Sequence, residues 1–193
     1  SSDGVVEVQL SGAADAIGEL ADAEPFHALA RRDLVPADLS GSADVMVSAR
    51  VPLELGKDDD VFWKVTARGT DLASRKPLEG RRFRDADVTI VVTGDAVSID
   101  GTAEVDGVMA AVSLAQPLTR DGSNAPGAQQ AAALTLDRDA RLRLGLDIED
   151  IVSGTIDAQV RSLPDGTGER YDLDLRQARL VLPGLGWSKE IGV

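Results

Sequence analysis

A period-two alternation of apolar residues runs through the middle of the chain and constrains its fold more than any other feature. Every second residue is apolar from Ala43 to Val51, and small or apolar residues alternate with polar ones from Val97 to Val105. Successive side chains of a β-strand point to opposite faces of its sheet, so the pattern predicts strands with one apolar and one solvated face. A helical face repeats about every 3.6 residues and cannot carry it. The chain is therefore predicted to be mostly β.

Turn chemistry predicts that these strands are antiparallel. Gly94-Asp95 and Asp106-Gly107 are tight-turn dipeptides, and they divide residues 82 to 116 into a three-stranded meander. We predict nine strands in all, the others lying at Val6 to Leu10, in a long hairpin over 43 to 67, at Ala131 to Leu136 and in a final hairpin over 155 to 182.

Two segments carry helical signals. Residues 13 to 23 are rich in Ala, Leu and Glu with apolar residues at helical spacing, and Pro25 opens a second short helix that reaches Arg32. Asp137 is a helix-capping residue, and Gly145 supplies a left-handed stop after it. We expect helices only within about 13 to 32 and 137 to 151, where they cap an end of the sheet.

The last third of the chain repeats an earlier segment. Ser153-Gly154 and the residues that follow match Ser40-Gly41 and its successors in their small-apolar alternation. In the next strand Tyr171, Leu173, Leu175 and Leu180 fall over Trp63, Val65, Ala67 and Leu72. We infer one structural unit used twice. Residues 1–120 form the first unit with helices near its N-terminus, 121–128 a flexible loop, and 129–193 a second, truncated unit with one helix.

In both units the apolar alternation slips by one residue at a single place. The slip lies near Gly69 in the first unit and near Arg176-Gln177 in the second. Such a slip turns every later side chain to the other face unless a β-bulge absorbs it. Because the defect occurs twice, we predict a built-in bend at both places.

Five short sequence segments, taken in the order in which they occur along the chain, form a recognisable pattern. Asp38-Leu39-Ser40-Gly41 is followed by Val51-Pro52-Leu53, and much later by Arg141-Leu142-Arg143-Leu144-Gly145-Leu146-Asp147, Val152-Ser153-Gly154 and Leu185-Gly186-Trp187-Ser188-Lys189. In this order they resemble the bacterial AsmA-like family, YhdP-type branch, over residues 30 to 190. The resemblance transfers no catalytic residue.

The resemblance implies both a fold and a role. The family is described as long repeated β-groove proteins of the Gram-negative envelope, anchored in the inner membrane and thought to carry phospholipid across the periplasm. We therefore expect an antiparallel curved sheet, a β-groove of two related units with short capping α-helices. The chain would be a soluble segment of a protein tethered to the inner membrane. Its expected partners are phospholipid, or another acyl-chain ligand, and neighbouring repeats of the same protein.

Composition argues against other functions. A formal net charge of −13 opposes nonspecific binding to nucleic acid, and the lack of cysteine excludes disulfides and thiolate-bound metal. His27, the only histidine, is expected to pack in the N-terminal cap, and Asp58-Asp59-Asp60 lacks the ligand spacing of a calcium loop. No nucleophile motif, phosphate loop or dinucleotide-binding turn occurs. We expect no enzyme, no cofactor and no metal site.

Carboxylates that alternate with the apolar residues are expected to be solvated. Asp100 with Glu104, and Asp172 with Asp174, fall on the polar side of their strands. Nothing in the sequence shields them or gives the two members of a pair opposite roles in acid–base chemistry.

The apolar faces must be covered by each other, by the helices or by acyl chains of lipid. Small residues such as Ala43, Ala49 and Ala103 do not reach across the gap of about 10 Å between packed sheets, so such a sheet collapses tightly or leaves a groove. Trp63 and Trp187 could line a ligand groove, but an aromatic residue on the apolar face of a strand is more often part of the core, which is what we expect for both. The residues expected to face the lipid are Val45, Val47, Trp63, Val65, Val88, Ile90, Val97, Ile99, Val108, Val112, Ile156, Val160, Leu173 and Leu175.

Two alternatives to a lipid groove remain open. One is a structural or protein-interaction β-module with a closed core and no ligand, and the other is a hydrolase on a β-sandwich. If the chain belongs to a repeat array, the strand from Val6 to Leu10 and the strand ending near Leu182 are expected to be open edges that neighbouring repeats cover.

Overall fold

A computed structural model describes residues 3–22, 29, 33–52, 62–78, 80–119, 123–163 and 166–192 of the chain. This part of the protein is mostly antiparallel β, with 63% strand, a large curved open sheet of nine strands and two short α-helices. The predicted fold class is confirmed. The predictions for His27, for residues 25 to 28 and for Asp58-Asp59-Asp60 lie outside the described residues.

The large sheet is an antiparallel meander. Its strands are β1 (Asp3–Ala13), β2 (Leu39–Pro52), β3 (Phe62–Ser74), β4 (Phe83–Thr93), β5 (Ala96–Val105), β6 (Val108–Pro117), β7 (Gln129–Leu136), β9 (Ile156–Ser162) and β10 (Glu169–Asp174). They lie in the order β1-β2-β3-β4-β5-β6-β7-β9-β10, so chain order and spatial order agree. The meander predicted over residues 82 to 116 is confirmed as β4, β5 and β6.

A second sheet contains three short strands. These are β8 (Val152–Gly154), β11 (Ala178–Leu182) and β12 (Trp187–Lys189), in the order β12-β11-β8. The helices are α1 (Ala14–Asp22) and α2 (Arg138–Arg143), and short 3-10 turns occupy Pro36–Asp38 and Pro183–Leu185.

The sequence around α2 explains where this helix begins and ends. The Asp137 carboxylate accepts a hydrogen bond of 2.8 Å from the backbone N–H of Ala140, which satisfies one of the free donors of the first turn. Gly145, with φ of 76°, lets the chain turn away after the helix. Both features agree with the prediction from sequence.

The turn between β5 and β6 shows how local chemistry fixes the meander. Asp106 and Gly107 have φ values of 50° and 86°, the positive pair that a tight hairpin turn requires. The Asp106 carboxylate accepts hydrogen bonds from the Arg82 backbone N–H at 3.0 Å and from Arg81 Nη1 at 2.9 Å. These bonds lower the pKa of Asp106, the bond from Arg82 having the largest effect.

Both helices lie at the same end of the large sheet, which we call the capped end. α1 follows the last residue of β1, and α2 follows the last residue of β7. These two strands run in the same direction, because neighbours are antiparallel and an odd number of strands separates them. The prediction that short helices cap one end is confirmed. The opposite end, which carries the Gly94-Asp95 turn, is called the open end.

The main buried cluster also lies at the capped end. It joins β6, β7 and β9 of the large sheet with α2 and two strands of the small sheet. Its members are Val108, Leu136, Ala140, Val152, Ile156, Ala158 and Ala178. Within the described ranges, the small sheet and α2 thus cover the apolar side of the large sheet at this end.

Register shifts bend the large sheet near the capped end. β3 carries an extra residue between Gly69 and Leu72, and β4 carries another between Arg84 and Asp87. Asp71 and Asp85 take positive φ values of 51° and 47° at these bulges. The bend predicted near Gly69 is confirmed.

The prediction of a second bend is wrong about the type of irregularity. Instead of a bulge near Arg176-Gln177, the strand divides there: β10 stays in the large sheet and β11 joins the small one. The glycine opposite this break nevertheless resembles its counterpart in the first unit. Gly41 and Gly154 have φ values of 103° and 89°, and a Cβ on either would lie within 2.5 Å of a carbonyl oxygen, of Asp71 and Gln177 respectively.

The predicted match between the two units is displaced by two residues in their second strands. Val47 pairs with Val65 in the first unit, and the equivalent Val160 pairs with Tyr171 in the second. Tyr171 therefore corresponds to Val65 and not to Trp63. A period-two pattern looks the same after a shift of two residues, so the alternation cannot distinguish these alignments.

The predicted open edges need one correction. β1 is an edge of the large sheet, as expected. The strand that ends at Leu182 is not, because β11 lies between β12 and β8. The second edge of the large sheet is β10. Since β6 pairs with β7, residues on both sides of the predicted 121–128 loop belong to one continuous sheet.

Candidate functional site

Thirteen of the fourteen residues predicted to face a ligand project from one side of the large sheet. Paired residues of adjacent antiparallel strands share a face, and the register links Val47 to Val65, Val65 to Val92 and Val92 to Val97. The same reasoning extends from Val88 through β5 and β6 to Val160 and Leu173. We call this side the apolar face. Leu175 lies just after β10 and packs against the buried cluster.

The apolar face is buried at one end only. Near the capped end Val108 and Ile156 are each 5% exposed. Toward the open end Val45, Val65 and Val97 are only half-buried. At the edges of the sheet, Val8 is 45% and Leu173 is 53% exposed. A second layer would bury these side chains, so the face is open over much of its length.

The tryptophans show the same lack of cover. Trp63 lies on the apolar face and is 39% exposed, and Trp187 in β12 is 49% exposed. The expectation that both lie in the core is wrong. Among the described residues, no second layer packs on either sheet face tightly enough to bury an indole ring.

A concavity of about 1120 Å³ lies beside α2. Ala140 and Arg143 line it from the helix, and Ala110, Leu134, Ala158 and Leu173 line it from four strands of the large sheet. The small side chains of Ala110 and Ala158 leave room over the strands. Arg143 adds a charged group to the lining.

The large sheet curls toward its apolar face. Arg81, in the loop before β4, interacts electrostatically with Glu169 and Tyr171 of β10, although four strands separate β4 from β10. In a flat sheet, five spacings of about 4.8 Å would place these strands about 24 Å apart. Glu169 and Tyr171 project from the apolar face. The concavity beside α2 is lined by Ala110, Leu134 and Leu173 of the same face, so this face is the concave one of the curved sheet.

The opposite, polar face holds the carboxylates that the sequence predicts to be solvated. Ser113 donates a hydrogen bond of 2.8 Å to Asp100, and Arg84 forms an ion pair of 2.7 Å with Glu104. Asp174 accepts hydrogen bonds from the Arg176 side chain, which lower the pKa of Asp174 to about 2. Asp100 and Asp172 are exposed, in agreement with the prediction, whereas Glu104 and Asp174 are partly buried beside their arginine partners.

One buried charge was not predicted from sequence. Arg141 of α2 is 1% exposed and donates from Nη1 to the carbonyl oxygens of Leu136 at 3.0 Å and Gly154 at 2.7 Å. Its Nη2 donates to the Glu149 carboxylate at 2.7 Å. The sequence places Arg141 beside Ala140 in the predicted helix but gives no signal that its side chain is buried.

The described ranges contain neither a cluster of metal-ligating side chains nor a helix that could span a membrane. No three His, Asp or Glu side chains come together there in a way that could hold a metal ion. Neither helix in those ranges has the length and apolar character that crossing a membrane requires.

A scan against models of protein families, a search of curated proteins and a search of solved structures each found no match to this chain.

Proposed function

We propose that this chain is a segment of an envelope protein of the AsmA-like type, and that its apolar face guides phospholipid between membranes. The observation that carries the proposal is the open part of that face. Apolar side chains from β1 to β10 form one continuous concave surface that stays half-buried or exposed toward the open end. An exposed apolar patch of this extent is typical of a surface that binds another apolar molecule.

Lipid acyl chains suit this surface better than a polar ligand. The face has few hydrogen-bonding side chains, and an acyl chain needs none. Each methylene that leaves water for the face contributes about 0.8 kcal/mol, so a partly covered chain still binds. The helices and the small sheet would close the groove at the capped end, while the open end would admit the chain.

The proposal also includes the setting that the sequence resemblance implies. The full-length protein would be tethered to the inner membrane of a Gram-negative bacterium, and neighbouring repeats would continue the groove through the periplasm. The alternative is a structural or protein-interaction module without a ligand. The buried cluster around Val108 and Ile156 favours that alternative, because it gives the fold a closed core of its own.

Binding of a fluorescent phospholipid by delipidated protein tests the proposal. We expect saturable binding, and we expect Trp63→Ser to weaken it about tenfold, a loss of about 1.4 kcal/mol. Lys64→Ser is the matched control, because this neighbouring residue projects from the polar face. If the folded protein binds no lipid, or if the two variants lose affinity equally, the module without a ligand is the better description.

A further inference from the structure

The two edges of the large sheet differ in a way that bears on association. β1 has eleven residues, pairs with β2 without any register shift and contains neither lysine nor proline. Within the described part of the chain, β2 is its only strand partner. Val5, Val6, Val8 and Leu10 are all exposed on it. Natural sheets usually protect an edge of this length with charges, bulges or prolines, and β1 has only Asp3 and Glu7.

The other edge is protected. β10 has six residues, of which Glu169, Arg170, Asp172 and Asp174 are charged. An incoming strand would have to desolvate these side chains or find charges that complement them. The sheet therefore has one edge suited to strand addition and one that resists it.

β1 is complementary to itself in one antiparallel register. When Val8 lies opposite Val8 of a second copy, all eleven residues pair, from Asp3 opposite Ala13 to Ala13 opposite Asp3. Val6 then lies opposite Leu10, so the apolar faces of the two sheets continue into each other. Glu7 lies opposite Gln9, an amide that can donate to its carboxylate.

Neighbouring registers are worse for identifiable reasons. If the pairing of the two β1 strands is centred on Glu7, the two Glu7 carboxylates lie directly opposite each other, and the last two residues of each strand have no partner. A shift that places Glu7 opposite Val8 joins the apolar face of one copy to the polar face of the other. Only the register centred on Val8 combines full overlap, a continuous apolar face and no opposed charges.

We propose that two copies of this chain associate through antiparallel pairing of β1 with β1, centred on Val8, to form one continuous eighteen-stranded sheet. The apolar face of each copy continues into that of its partner, so the dimer doubles the length of the apolar surface across the strands. Pairing needs no ligand, and its test is independent of lipid binding.

Because the chain has no cysteine, single cysteines can report the register directly. Opposed residues of antiparallel strands lie about 4.5 to 5.5 Å apart, within the Cα separation that a disulfide spans. We expect Val8→Cys to form a disulfide-linked dimer under mild oxidation. In the same register, position 6 lies about 13 Å from position 6 of the partner, so Val6→Cys should not crosslink. The double variant Val6→Cys with Leu10→Cys should crosslink again.

Sedimentation of cysteine-free variants provides the second measurement. We expect a dimer for the unmodified chain, and Val8→Lys should raise the dissociation constant at least about tenfold, since it opposes two ammonium groups at the centre. Leu173→Lys, which places the same charge on the apolar face of β10, should leave the dimer unchanged. Circular dichroism checks that each variant is folded.

Several outcomes would overturn the pairing. A monomer at all concentrations excludes it, and so does crosslinking of Val6→Cys as efficient as that of Val8→Cys. A dimer that Leu173→Lys dissociates and Val8→Lys does not would place the interface at β10. Long filaments would indicate head-to-tail pairing of β1 with β10.

Discussion

The guanidinium group of Arg141 donates a hydrogen bond of 2.7 Å to the carbonyl oxygen of Gly154, the residue at which the chain passes from the small sheet to the large one. The same nitrogen binds the Leu136 carbonyl at the end of β7. One side chain therefore ties α2 to the ends of two elements that must lie side by side before β9 can pair with β7. Its charge is balanced by Glu149, which is partly exposed.

Replacement of Arg141 by alanine should destabilise the fold by about 3 kcal/mol or more, since it leaves the buried Leu136 carbonyl, the Gly154 carbonyl and the Glu149 carboxylate without their donor. Urea denaturation monitored by circular dichroism measures the change. Arg138→Ala, at an exposed position of the same helix, is the control and should cost less than about 0.5 kcal/mol. Because alanine favours the helix at least as well as arginine, equal effects would mean that the buried contacts of Arg141 do not determine stability here.

The bulge region depends on Gly101. A Cβ at this position would lie 2.1 Å from the backbone oxygen of Asp87 on the neighbouring strand. We expect Gly101→Ala to cost about 2 to 3 kcal/mol, because β4 and β5 must move apart. Gly186→Ala has a positive φ of 61° but no atom within 4 Å, so it isolates the backbone cost, about 1 kcal/mol. Thermal denaturation of both variants separates the clash from the dihedral strain, and similar losses would contradict the clash.

Mutations on the two faces of β5 should differ in how strongly they lower the stability of the fold. Ile99→Asp places a carboxylate without a partner on the apolar face and should destabilise the protein by about 2 kcal/mol or more. Asp100→Ala removes only the hydrogen bond with Ser113 on the polar face, and we expect a change below about 1 kcal/mol. Chemical denaturation of both variants checks the assignment. A larger loss for Asp100→Ala would show that the polar face contains a site.

Acid should weaken the contact between Asp174 and Arg176. The hydrogen bonds from Arg176 lower the pKa of Asp174 from 3.8 to about 2 in the folded protein. A lowered pKa stabilises the fold above the unfolded value, and this contribution is lost as the pH falls from about 4 to about 2. Denaturation midpoints between pH 5 and 2 should therefore fall less steeply for Asp174→Asn than for the unmodified chain. Identical pH profiles would exclude the contribution.

The alternation of side chains was enough to predict the fold class, the meander and the composition of the apolar face. Each depends only on which residues share a side, as with Val65 and Val97. An alternation that repeats every two residues looks the same after a shift of two residues. The sequence pattern therefore aligns Tyr171 with Trp63, whereas the register of the strands aligns Tyr171 with Val65. It also cannot reveal β8 and β12, whose three residues are too few to show a pattern.

The exposure of the apolar face was equally beyond the sequence. The sequence around Val8 and Trp63 would show the same alternation if a second sheet covered them, because alternation indicates on which side of the sheet a residue lies and not what covers that side. The burial of Arg141 could not be predicted from the sequence, because it depends on carbonyl groups and a carboxylate that only the tertiary structure brings together.

The order of the strands has a consequence for how the protein folds. Every pairing of the large sheet except that of β7 with β9 joins consecutive strands, so its contact order is low for a β protein. Each hairpin can close as soon as its second strand is available, without waiting for a distant partner. We expect the sheet to grow from the N-terminus while later strands are still being synthesised. At every stage the newest edge of the growing sheet would be covered as soon as the next strand pairs with it, which limits its exposure to other chains.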